Sequence, residues 1–135
     1  MMLAALLRDR RVSLGVTAVA AAQVAGVAAG VGGWPCPVKA AFGIPCPGCG
    51  LTRASVALLR GEFATAFGLH AFAPVLLLGV LAFAVAALLP AARRDAFAAL
   101  VGRVERRTHV AYVVLAGLLV YWSVRVLFLP GAFSG

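Results

Sequence analysis

Apolar residues run along this chain in three long blocks, each bounded by polar or basic clusters. Val12 to Gly32 continues for about 21 residues without a charge, close to the roughly 20 that a bilayer-crossing helix needs. Leu69 to Leu89 is a second block, with His70 at its start and Pro74 in its first turn, where a missing N–H is tolerated. His109 to Leu129 is the third, interrupted only by Arg125 near its far end. Pro90 and Pro130 follow the second and third blocks, as prolines follow helix ends. The pattern predicts an all-α integral membrane protein with three transmembrane helices, over 12–32, 69–89 and 109–129.

The intervening segments read differently. Thr52 is placed to cap a helix running to about Leu59, with Arg53 in its first turn and Gly61 as its breaker. Glu62 to Phe67 forms another short turn that sets Phe63 over Phe67 at i, i+4. Neither piece can span, so the 33–68 loop is predicted as a helical, re-entrant cap in the interface. In the 90–108 loop, Phe97, Leu100, Val101 and Val104 recur at helical spacing among arginines, which predicts an amphipathic surface helix. Ala18, Ala22, Gly26 and Gly30 form a small-residue ridge that suits close packing within the chain or between two copies. No repeat or low-complexity linker divides the 135 residues, so a single membrane domain is expected.

Composition supports the membrane reading. Hydrophobic residues make up 64% of the chain and charged ones 12%, with a mean hydropathy of +1.05. An ordinary soluble domain carries about 25% charged residues, and this chain has too little polar surface to cover its apolar side chains. The first block outlasts the roughly 7–15 residues of a cleaved signal sequence, so a retained span is expected.

Charge sets the expected orientation. Arg8, Arg10, Arg11, Arg93, Arg94, Arg103, Arg106 and Arg107 all fall on one side, eight of the twelve basic residues. The positive-inside rule makes that side cytoplasmic and turns the 33–68 loop, with only Lys39, Arg53 and Arg60, outward. The net charge of +8 is then a topology signal that also meets anionic lipid, and nucleic acid is not an expected partner. Trp34, Tyr121 and Trp122 fit an outer aromatic belt.

The chemistry concentrates in Cys46-Pro47-Gly48-Cys49-Gly50-Leu51-Thr52-Arg53. Proline fixes one backbone angle and Gly50 permits a left-handed turn, so the two thiols are held close. Three readings share these atoms. Cys46 and Cys49, with Cys36 and His70, make a Cys₃His set that suits zinc. A Cys-x-x-Cys pair at a helix N-terminus beside Arg53 favours thiolate, for a disulfide or thiol exchange, although no thioredoxin-like βαβ context surrounds it. The third reading is purely structural, with small cysteines shaping a turn. Arg53 calls for a partner, either Glu62 (the one acid in the loop) or an anion at the helix start. Arg125 either snorkels to the interface or bonds carbonyls of the cysteine loop. His109 reads as an interface residue. With only Asp9, Glu62, Asp95 and Glu105 as acids, acid–base catalysis is poorly supplied.

Cys46 to Ala54, followed by Arg60-Gly61-Glu62, Ala66 and the His70/Pro74 stretch, resembles the bacterial membrane family called domain of unknown function 2752. That pattern is Cys-Pro-x-Cys-Gly-x-Thr-Arg, a glycine–acid pair, an alanine and an Asn-Pro or His-rich turn entering a span. The resemblance covers about Trp34 to Leu78, and the asparagine is replaced here by His70-Ala71-Phe72-Ala73-Pro74. It implies a small multi-pass protein of the bacterial inner membrane, with no established activity. The expected function is a non-enzymatic subunit or binding module in the lipid bilayer, whose outward loop holds a metal, a lipid headgroup or a partner protein, a second copy included. Thr52, Arg53, Gly50, Glu62, Pro74 and Arg125 are its expected binding or structural residues. The alternative is a thiol-dependent redox or metal-handling protein using Cys46 and Cys49.

Overall fold

A computed structural model describes residues 2–31, 35–44, 46, 48 and 50–128. All regular structure among them is helical: α1 (Met2–Arg8), α2 (Arg10–Ala28), α3 (Pro37–Phe42), α4 (Leu51–Leu59), α5 (Phe63–Leu69), α6 (Ala73–Leu88), α7 (Ala91–Thr108) and α8 (Val110–Phe128). At about 1.5 Å rise per residue, the 19 residues of α2 or α8 approach the roughly 30 Å of a hydrocarbon core. Both are long and apolar enough to cross a membrane. The 16 residues of α6 are not; α5 and α6 qualify only as a pair, bent by 98° between them. Among the described residues there are therefore two candidate spans, or three if the bent pair is one.

The boundaries differ from the apolar blocks for local reasons. Asp9 separates α1 from α2 and accepts the Arg11 N–H on Oδ1 at 2.9 Å, as an N-cap residue does. This starts α2 at Arg10, before the expected Val12. It ends at Ala28, and Gly30 has a φ of 76°, so the ridge of small residues loses its last member. α6 starts four residues after the expected Leu69. Pro74 has no N–H for the His70 carbonyl; the Ala73 N–H meets that carbonyl instead, at 3.2 Å. Gly32, Trp34, Leu129 and Pro130 lie outside the described residues.

The chain divides into two compact units. One comprises Met1–Ala21 and Leu77–Leu115. There α1 packs on α7, and Leu7, Ala86 and Ala98 form a buried core flanked by Phe83, Phe97 and Val101. Gly102 makes the close approach possible, since a Cβ there would lie 3.0 Å from that of Ala4. Glu105 is buried on the same face of α7. Burial pushes its carboxyl up, but hydrogen bonds, those from the Leu3 and Ala4 backbone N–H among them, hold it below the usual value. These N–H groups belong to the first turn of α1 and have no acceptor within their own helix. Arg94 serves the opposite ends, donating from Nη1 to the Arg8 carbonyl at 3.5 Å and from Nη2 to the Leu89 carbonyl at 3.2 Å. α7 ends at His109, whose φ of 48° is left-handed and whose N–H returns to the Glu105 carbonyl.

The other unit comprises Ala22–Leu76 and Ala116–Gly135. In it α4 packs on α5, and Ala54, Ser55, Val56 and Ala57 of α4 and Ala66 of α5 are buried. Arg60, just past α4, donates to the carbonyl of Ala28, the last residue of α2, at 3.5 Å.

Candidate functional site

The cysteine turn feeds directly into α4. The Leu51 N–H bonds the Gly48 carbonyl at 3.1 Å, and Gly50 is the N-cap with a φ of 86°, a conformation that costs other L-residues about 1–2 kcal/mol. The cap is thus Gly50, not Thr52, which stands half-buried inside the first turn. Gly50 also lies close to the end of α5, where a Cβ on it would be 3.6 Å from the Leu69 carbonyl oxygen.

That carbonyl is the centre of the arrangement. α5 stops at Leu69, and His70 is extended, with φ −160° and ψ 114°. The last carbonyls of a helix have no partner within it, and in an apolar setting each needs one from elsewhere. Arg125 of α8 supplies it: Nη1 donates to the Leu69 carbonyl and to the Tyr121 hydroxyl, the latter at 2.8 Å. The guanidinium carbon lies 5.4 Å from the Tyr121 ring centroid, within cation–π range. The Tyr121 hydroxyl also accepts the Ala71 N–H at 3.3 Å. One arginine and one tyrosine, a helical turn apart, thus satisfy both sides of the break.

Aromatic packing closes it. His70 is 2% exposed, and its ring centroid is 5.1 Å from that of Tyr121 and 6.3 Å from that of Phe72. Its Nδ1 accepts the Phe72 N–H at 3.3 Å. Phe72 lies 5.6 Å from Tyr121, and its edge fits over Gly117, where a Cβ would sit 3.2 Å from Cζ. Gly117, Tyr121 and Arg125 recur every four residues and share one face of α8.

The expected site residues are only partly drawn together. Arg125, 6% exposed, does not snorkel; it binds a carbonyl one residue past the 33–68 loop. Gly50, His70 and Pro74 all border the break. Arg53 is exposed in the first turn of α4. Glu62 is exposed at the α5 N-cap and makes no side-chain cap bond. Cys36 is the half-buried residue that opens α3, and Cys46 is half-buried in its turn. Cys49 lies outside the described residues. Among those that are described, no three His, Cys, Asp or Glu side chains gather where they could hold a metal. Tyr121 faces inward here instead of toward an aromatic belt. The sequence reading missed Phe72, Gly117 and the Leu69 carbonyl. The four-residue spacing of 117, 121 and 125 was the available signal.

The site is built on a buried cation, a phenol and an imidazole bonded to the chain itself, with no carboxylate side chain in the contacts described. It can hold a backbone break rigid and fix the start of α4, and with it the cysteine turn.

Residues 36–85 match the family model "Protein of unknown function (DUF2752)". The resemblance drawn from the sequence is shown over that stretch. The matched stretch takes in Cys36, the turn, α4, α5, the break and most of α6, and it stops before Tyr121 and Arg125. No curated protein and no solved structure matches the chain.

Proposed function

We propose that this protein is a small bacterial inner-membrane subunit or binding module without catalytic chemistry of its own. In this reading α2, the bent α5–α6 pair and α8 are three spans, the N-terminus is cytoplasmic and the cysteine turn faces outward. The turn and Arg53 hold the ligand: a metal on the thiols, an anionic headgroup on the guanidinium, or a partner subunit across both. The observation that carries it is the Arg125 clamp. The buried Arg125 is committed to the Leu69 carbonyl and Tyr121, a scaffold role, and Arg53 is an exposed residue of the first turn of α4, next to the cysteine turn in the sequence.

Metal analysis of the purified protein with a count of reactive thiols tests the ligand. One zinc per chain supports a thiolate site. Two blocked thiols without metal favour the second reading, thiol exchange at Cys46 and Cys49, which precede α4 in the sequence. Three reactive thiols without metal leave the reading in which the cysteines only shape the turn. Labelling of Cys46 from the cytoplasmic side alone, in intact and inverted vesicles, would reverse the topology.

A further inference from the structure

α7 has a second face that the core does not use. Ala98, Gly102 and Glu105 are buried toward α1, and Leu100, Arg103, Val104 and Arg107 recur on the opposite side at i, i+3, i+4 and i+7. Arg93, seven residues before Leu100, continues the same side. All five are exposed, Leu100 by 52% and Val104 by 49%. No acid interrupts this face, since Glu105 is buried opposite and Asp95 lies on the flank. Guanidinium groups beside exposed aliphatic side chains are the composition of a helix lying in a headgroup layer.

The connections point the same way. Only Leu89 and Pro90 separate α7 from α6, and only His109 separates it from α8. Arg94 ties its start to the carbonyl of Leu89. An 18-residue helix is about 27 Å long, and both of its ends are pinned where apolar helices end. A rod held at both ends to one water–lipid boundary lies along that boundary.

We infer that the outer face of α7 is a binding surface for anionic phospholipid, with Arg93, Arg103 and Arg107 on the phosphates and Leu100 and Val104 in the acyl boundary. The inference rests on the membrane reading above but not on the cysteine turn or its ligand.

The test is thermal unfolding of the full chain in neutral detergent, titrated with phosphatidylglycerol, phosphatidylcholine or inorganic phosphate. Phosphatidylglycerol raises the unfolding midpoint, while phosphatidylcholine and inorganic phosphate do not. A basic side chain near an anionic surface contributes about five-fold in binding, so R93Q/R103Q/R107Q weakens the apparent phosphatidylglycerol affinity by about a hundred-fold. The lysine triple variant keeps the affinity within a few-fold, because the attraction is to charge rather than to a planar fork. The same drop appears when the triple variant is made in an Arg53→Gln background, which separates this surface from the ligand site of the cysteine turn. A phosphatidylglycerol affinity that the glutamine triple variant does not weaken in the Arg53→Gln background, or a response that inorganic phosphate reproduces, overturns the inference. If the glutamine variant does not fold, the parent decides: its affinity falls at high salt, and a salt-independent affinity refutes the surface.

Discussion

Removing the Arg125–Tyr121 contact tests whether the break between α5 and α6 is held by a network or merely surrounded by bulky groups. Arg125→Leu deletes two charge-assisted hydrogen bonds and leaves the Leu69 carbonyl without that donor. Such bonds contribute about 1.5–3 kcal/mol each in water-soluble proteins, but polar contacts between membrane helices average only about 0.6 and reach about 1.7 kcal/mol. The arginine also regains hydration when the unfolded chain is the reference, which lowers its net contribution. These effects bracket the loss for Arg125→Leu at about 2–3 kcal/mol. Tyr121→Phe keeps the ring against His70 and Phe72 but deletes the acceptor used by Arg125 and Ala71, at a cost of about 1 kcal/mol. The double variant should lose less than the sum, with a coupling of about 1–2 kcal/mol for the shared bond. Reversible unfolding of the four proteins in mixed micelles measures it. Losses that add to within about 0.5 kcal/mol would show that the two side chains act independently, and the network reading fails.

Other outcomes hinge on single contacts. Gly50→Ala should cost about 1–2 kcal/mol because of its left-handed φ, whereas Gly48→Ala, exposed and 3.9 Å from the Cys46 sulfur, should stay within about 0.5 kcal/mol; equal losses would mean the turn is not set by Gly50. Gly102→Leu should displace α1 from α7, since even a Cβ approaches Ala4 to 3.0 Å; unchanged protection of the α1 amides from hydrogen exchange refutes this packing. The Glu105 carboxyl lies below its ordinary value, so its contribution is present above the unfolded pKa near 4.5 and is lost as pH falls through the folded one. Protection of α1 should therefore drop on acidification in the parent, and Glu105→Gln should abolish that step; an identical pH profile in both excludes Glu105.

What could be read from the chain was what depends on composition over many residues. The α-class and the blocks of α2 and α8 emerge from hydropathy summed over about 20 positions, where single errors cancel. Breaks depend on one or two side chains and were less visible. The arginines at 8, 10 and 11 read as a basic flank, although Leu3, Ala4 and Leu7 fall on one helical face and Asp9 is a suitable cap for α2. The bend before α6 was implicit in Pro74: a helix starting at Leu69 would strand the His70 carbonyl. Arg125 was the hardest residue to read. Hydropathy reports that a charge sits in an apolar block, but only the partner's position decides between snorkelling and an inward bond, and Leu69 lies 56 residues away in the chain.

Arg60, Arg94 and Arg125 share a habit: each reaches the closing carbonyl of a helix other than its own, at Ala28, at Arg8 and Leu89, and at Leu69. With twelve basic and four acidic residues, there are too few carboxylates to go round, and for these three arginines the peptide backbone serves as counter-charge. A carbonyl belongs to whatever residue occupies the position, so the acceptor persists when that side chain is replaced, whereas the donor is tied to arginine itself. An ion pair can be lost from either side; these contacts can be lost by side-chain substitution from one side only. A lopsided charge balance thereby becomes compatible with an ordered fold.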